Sequence, residues 1–153
     1  MKRYYLAYGS NLNVRQMKYR CPTAKIAGTA VIRDYELLYK GSKTGSYLTI
    51  EKKKGGAVPV AVWEVTAADE HSLDIYEGYP NFYYKKNMKI RLSEAEKMID
   101  AFVYIMHEER RLGIPTSAYV STCKFGYTIF GFDFKYLDEA YEKSLKGAAH
   151  YEN

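Results

Sequence analysis

The sequence predicts an α+β protein: a small, mixed but mostly antiparallel β-barrel flanked by helices. Three observations carry that expectation. Runs of β-branched and aromatic residues recur between turn-forming segments from Lys25 to Trp63 and again from Tyr84 to Met106. Segments with helix caps and helical spacing fall before, between and after those runs. The length of 153 residues, 47% hydrophobic and 27% charged, suits one globular core, and with no repeat or low-complexity linker residues 1–153 are expected to form a single domain.

Each element follows in order. Tyr4 to Tyr8 is a short aromatic strand that leads into the tight segment Gly9-Ser10-Asn11. Asn13 can cap a helix, with Gln16 three residues on, that runs to about Arg20 and stops at Cys21-Pro22. Four strands are then expected as an antiparallel meander, Ile26–Ile32, Tyr35–Tyr39, Tyr47–Ile50 and Val58–Val65, with turns at Arg33-Asp34, Gly41–Gly45 and Lys52–Gly56. Thr66 caps the next helix, with Asp69 and Glu70 in the first turn where the helix dipole favours acids; Gly78 ends it and Pro80 prevents continuation. Strands Tyr84–Leu92 and Met98–Met106 follow, joined by Ser93–Lys97. Thr116 or Ser117 caps a helix to about Phe125, and Asp133 caps a last one ending at Gly147, whose stripe Phe134, Leu137, Tyr141 and Leu145 is expected to face the core.

Composition excludes several classes. The net charge is +5 and 17 of the aromatic residues are Tyr, which would suit base stacking; but the basic residues are scattered, and the densest run, Lys52-Lys53-Lys54 before Gly55-Gly56, reads as a solvated hairpin tip. No nucleic-acid partner is expected. Tyrosines also suit a polar pocket, since each buries a ring while offering a hydroxyl. Cys21 and Cys123 have no CxxC spacing, and His71, His107 and His150 share no ligand spacing with them, so no metal site is expected. No apolar stretch has the length of a signal peptide or a membrane span, which points to a cytoplasmic protein with no membrane partner.

Chemistry could reside in two places. Glu77 lies four residues after Leu73, on the same helix face, and so is directed inward; it also sits at the helix end whose partial negative charge disfavours an anion. Both effects predict a pKa raised toward neutrality, as a general base or acid needs. A surface acid placed before a helix-ending glycine would have the same local sequence. The second place is Tyr8-Gly9-Ser10-Asn11-Leu12, where a strand turning sharply into a helix leaves backbone N–H groups able to hold an anion or oxyanion; a plain connecting turn would also use Gly and Asn. Ser10 lacks the framing of a hydrolase nucleophile. Asp74 reads as a solvent-facing or hydrogen-bonding helical acid, and Cys123 and Trp63 as packing residues.

Taken as a pair, Tyr8-Gly9-Ser10-Asn11-Leu12 after the first strand and Tyr76-Glu77-Gly78-Tyr79-Pro80 with Tyr83 after a mid-chain helix resemble the γ-glutamylcyclotransferase-like family. Met17, Arg20-Cys21-Pro22, Ala24, Gly28, Tyr35, Val62-Trp63-Glu64-Val65 and Leu73-Asp74 follow in the order of its bacterial members, while Pro115-Thr116-Ser117-Ala118-Tyr119 only approximates a later family segment. The resemblance implies a barrel-and-helix fold, a γ-glutamyl substrate as the small-molecule partner, and no metal, nucleotide or other cofactor. It implies that Glu77 is the acid–base residue, that Gly9, Ser10, Asn11 and Leu12 form the substrate loop, and that Tyr8, Tyr83 and Tyr119 wall the pocket.

The implied reaction is attack by the substrate's own α-amine on its γ-carbonyl, giving 5-oxoproline and a free amine. The loop amides would hold either the α-carboxylate or the oxyanion. A non-catalytic module of the same fold, binding a small metabolite or anion at the loop, is the alternative. Specificity for the departing half is expected from Lys40–Ser46 and the segment after Pro115.

Overall fold

The computed structural model describes residues 2–42 and 45–152, with side chains described for all of these except 42 and 148–152. Strand β1, Arg3–Ala7, lies inside the sheet, and Tyr5, Leu6 and Ala7 are all buried because both of its faces are covered. It pairs antiparallel with β3, Gly45–Val65, from Arg3↔Val65 to Ala7↔Ala61, and parallel with β5, Lys97–Met106, through Tyr4↔Ala101 and Tyr5↔Phe102. β5 pairs antiparallel with β4, Tyr83–Leu92, and β3 with β2, Lys25–Ser42. A two-residue strand β6, Arg111–Leu112, too short to leave a pattern in sequence, extends the edge beside β2. The strand order is therefore β4-β5-β1-β3-β2-β6.

The meander of four short strands is in fact one long hairpin of β2 and β3. The residues expected to turn at Arg33-Asp34 form a bulge: Asp34 has φ 64, and the register jumps from Arg33↔Ala57 to Tyr35↔Lys52. Lys52–Gly56 is not a hairpin tip. It is the other wall of that bulge, with Gly55 at φ 80 and its N–H donating to the Asp34 carboxylate over 2.9 Å; the three lysines remain exposed. Turn-forming composition reports a local change of backbone direction, which a bulge provides without ending the pairing. The hairpin connection lies where Gly41–Gly45 was expected, between Ser42 and Gly45.

The sheet curls into a half-barrel. Ser93, just past β4, donates its N–H to the Thr29 carbonyl over 2.9 Å, and Glu94 accepts from the Thr29 N–H over 3.1 Å and from the Thr29 hydroxyl. The fold class is α+β, as expected.

Helices α1, Val14–Arg20, and α2, Ala67–Glu77, start as their caps predict: Asn13 accepts from the Gln16 N–H, and Thr66 and Asp69 form a reciprocal capping box. Gly78, at φ 64, ends α2. Helix α3, Ser117–Phe130, is capped by Thr116 and runs past the expected end near Phe125 to Gly131. Helix α4, Lys135–Glu152, begins where the Asp133 carboxylate accepts from the Lys135 N–H, and it passes through Gly147. Its core face is Leu137, Ala140 and Ser144; Phe134 and Leu145 are exposed, against expectation. Small residues let α4 approach the sheet, where the Ser144 hydroxyl donates to the Tyr39 carbonyl over 3.3 Å. Trp63, Cys21 and Cys123 are buried, the cysteines as free thiols. Among the described residues no helix is long and apolar enough to cross a membrane.

Candidate functional site

The chain leaves the middle of the sheet at Ala7 and tightens at once into a 3₁₀ turn over Ser10–Leu12. The Leu12 N–H donates to the Gly9 carbonyl and the Asn13 N–H to the Ser10 carbonyl, each over 3.0 Å. The amides of Gly9, Ser10 and Asn11, at the head of that turn, have no hydrogen-bond acceptor among the described residues. Leu12 plays a different part. Its side chain is fully buried against Gly126 of α3, and its amide is consumed within the turn, so it anchors the loop from behind and does not line the cavity.

Facing this loop is the C-terminal end of α2. Leu73 is fully buried one turn before Glu77, and the shared face turns the Glu77 carboxylate into a cavity of about 580 Å³. Glu77, Gly9, Ser10, Asn11, Tyr8, Tyr83 and Tyr119 all line it. So do Tyr5, Tyr47, Leu48, Tyr76, Gly78, Phe82, Tyr104 and Arg110, which sequence reasoning did not assign to the pocket. Tyr76 and Gly78 flank Glu77 and could have been found from that adjacency. Tyr47, Leu48, Phe82 and Arg110 come from strands and turns remote in sequence and carried no signal. Of the segments expected to set specificity, the one after Pro115 supplies Tyr119; in the other, Lys40 pairs with Glu51 and donates to the Glu108 carbonyl instead, and residues 43 and 44 lie outside the described residues.

The tyrosines are held by their hydroxyls. Tyr8 donates to the Tyr104 carbonyl over 2.6 Å and Tyr83 to the Leu48 carbonyl over 2.8 Å, while Tyr119 accepts from the Leu48 N–H over 3.0 Å. Burial pushes Tyr5, Tyr8, Tyr83 and Tyr119 well above the usual phenol range, with the nearby Glu77 charge acting in the same direction, so these walls stay neutral.

No side chain or backbone group among the described residues donates to the Glu77 carboxylate. Burial among the rings raises its pKa from an ordinary 4.5 to about 8, and the positive charge of Arg20 opposes that rise. Arg20 lies with its guanidinium carbon 3.4 Å from the centroid of the Tyr76 ring and hydrogen-bonds Asn11 Oδ1. Asn11 in turn donates to the Tyr5 hydroxyl over 2.9 Å, and the Ser10 and Tyr76 hydroxyls share a hydrogen bond of 3.0 Å. These contacts tie the loop directly to the end of α2. Asp74 does not line the cavity; it accepts from the hydroxyl of cavity-lining Tyr104 over 2.6 Å and pairs with Lys85 at 2.8 Å. Among the described residues no group of three His, Cys, Asp or Glu could hold a metal ion.

A site of this kind can move a proton at one carboxyl and stabilise negative charge at free amides. Residues 5–121 match the family described as Gamma-glutamyl cyclotransferase, AIG2-like. The chain is similar to a solved structure named Gamma-glutamyl cyclotransferase, at 26% identity and TM-score 0.81 over 92% of this chain and 86% of that one. A human structure, uncharacterized protein loc79017, is similar at 26% identity and TM-score 0.80 over 91% and 86%. YkqA from Bacillus subtilis shares the fold at 14% identity and TM-score 0.75, over 94% of this chain and 54% of that one. No curated protein matches the sequence.

Proposed function

The chain belongs to the γ-glutamyl cyclotransferase, AIG2-like family, and from that premise we propose that it converts a γ-glutamyl amide to 5-oxoproline and a free amine. The observation that carries this reading is one carboxyl, Glu77, which keeps its proton up to about pH 8 in a cavity shared with the unpartnered amides of Gly9, Ser10 and Asn11. Such a pKa suits a group that must both take and give a proton near neutrality.

In the ionised form Glu77 removes a proton from the substrate's α-ammonium. The amine nitrogen then attacks the γ-carbonyl carbon, closing a five-membered ring, and negative charge develops on the carbonyl oxygen. As the C–N bond to the departing amine breaks, Glu77 returns its proton to that nitrogen; the second proton lost by the attacking nitrogen leaves with the product amine. The nucleophile is already part of the substrate, and intramolecular placement is worth effective molarities on the order of 10⁵–10⁸ M when the reacting atoms are aligned. Backbone amides of Gly9, Ser10 and Asn11 hold the α-carboxylate or the oxyanion, and the neutral tyrosine walls exclude water.

Glu77→Gln keeps the shape of the side chain and removes its acid–base function. Assayed with a panel of γ-glutamyl compounds, wild type forms 5-oxoproline and the variant loses at least ~10²-fold in kcat, the scale of positioned acid–base catalysis. Turnover by the variant within threefold of wild type defeats the reading.

A further inference from the structure

Asp74 and Glu77 stand three residues apart on α2, so their side chains are neighbours along one side of the helix. Tyr104 of β5 meets both. It lines the cavity, its hydroxyl donates to Asp74 Oδ1 over 2.6 Å, and the negative charge of Glu77 acts on that hydroxyl. A phenol has one proton to give, and here it goes to a carboxylate, which can only accept. That carboxylate is fixed from outside the cavity: Lys85 of β4 pairs with Asp74 at 2.8 Å and with Glu70 at 2.6 Å, and Arg3 of β1 donates to Glu70 over 2.8 Å. The other titratable groups within reach of the Glu77 charge are Arg20 of α1 and the phenols of Tyr5, Tyr8, Tyr83 and Tyr119. Tyr8 and Tyr83 give their protons to backbone carbonyls, Tyr76 shares a hydrogen bond with Ser10, and Arg110 lies over the Phe82 ring. Burial and Arg20 set the ionisation of Glu77, so Asp74 reaches it through Tyr104.

We propose that Asp74 is a positioning residue for the acid–base group: it holds the Tyr104 proton outside the cavity, so that Tyr104 cannot donate to Glu77 and the carboxyl is left without a donor. A hydrogen bond from a phenol favours the ionised carboxylate and would draw Glu77 back toward an ordinary acid. With its proton committed, the Tyr104 oxygen has only lone pairs left to offer. The kinetic consequence rests on the cyclotransferase reading above; the effect on Glu77 itself does not.

Asp74→Leu keeps a good helix former of similar bulk and removes the acceptor, while Lys85 retains Glu70. The pH at which kcat/KM levels is expected to fall by about one unit, a tenfold change in the ionisation of Glu77. Asp74→Asn retains an acceptor oxygen without the charge, and there the profile should stay where wild type has it. Tyr104→Phe, added to Asp74→Leu, removes the freed donor and should return the profile to its wild-type position. Thermal melts read the same displacement without turnover. The margin by which Glu77→Gln raises Tm grows with pH until the folded carboxyl has ionised, and in the Asp74→Leu chain that growth should stop about one unit lower. An unmoved profile in Asp74→Leu overturns the proposal. So does a shift that persists with Tyr104→Phe or appears equally in Asp74→Asn, since either assigns the effect to charge alone. Asp74→Ala carries the same expectations should the leucine chain fail to fold. If wild type forms no 5-oxoproline from a panel of γ-glutamyl compounds, the cyclotransferase reading fails, and the melts still decide the role of Asp74.

Discussion

Glu77 keeps its proton at neutral pH because the rings around it cannot solvate an anion and no donor approaches it, leaving the more distant charge of Arg20 as the opposing influence. The kinetic consequence has a definite sign. In the proposed reaction the ionised form is the reactive one, so kcat/KM is expected to rise with pH until about 8 and then level, a limb measurable from pH 5.5 to 9. Arg20→Gln removes the charge that favours ionisation, so its limb should move to higher pH. A limb that stays in place would show that Arg20 acts on Glu77 only through packing. The same substitution frees Asn11 Oδ1 and uncovers Tyr76, so KM should also rise.

At the scale of elements, the site depends on how two chain segments are pinned. Helix α2 is held at its start by the Thr66–Asp69 capping box and at its end by left-handed Gly78, which together fix the rotation that aims Glu77 inward. The loop is pinned from behind, where Leu12 packs on α3 at Gly126. A Cβ there would meet the Leu12 backbone and the Asn13 nitrogen, the latter at 2.9 Å, neither of which can swing aside. Gly126→Ala should gain about 1 kcal/mol of helix propensity but lose about 1–3 kcal/mol to overpacking. The clash is with backbone, so the net change is expected to be destabilising. Thermal melts should show a lower Tm, and KM should rise because the displaced segment carries the amides of Gly9, Ser10 and Asn11. A higher Tm with unchanged KM would mean that the loop is not pinned at this contact.

For the whole molecule, a half-buried acid that stays neutral links folding to proton uptake. Between pH 4.5 and about 8 the folded chain holds a proton at Glu77 that the unfolded chain has released. The folded state therefore binds more protons than the unfolded state, and this group makes stability fall as pH rises through that window, then level off above it. Glu77→Gln abolishes the linkage. Its Tm should match that of wild type near pH 4.5 and exceed it by a growing margin up to pH 8, as melts at four or five pH values would read. A difference independent of pH would mean that Glu77 is solvated. The curled sheet makes this linkage possible, since β1, β3, β4 and β5 bring Tyr5, Tyr8, Tyr47, Tyr83 and Tyr104 around one carboxyl.

Local chemistry was legible in the residues themselves. The caps at Asn13, Thr66 and Thr116, the stop at Gly78, the inward face shared by Leu73 and Glu77, and the strand–turn–helix around Gly9 all depend on interactions spanning a few positions, which a single sequence records. The bulge opposite Asp34 misled because turn residues look alike whether pairing ends or only kinks. What the tertiary structure alone decided was the company those residues keep. Leu12 entered the core because α3 offers a space without a side chain at Gly126, and Arg110 reached the cavity because its turn docks on Phe82. The raised pKa of Glu77 was predicted in direction from its helix face, but its size comes from desolvation by rings distant in sequence, and desolvation is a property of surroundings that no local pattern contains.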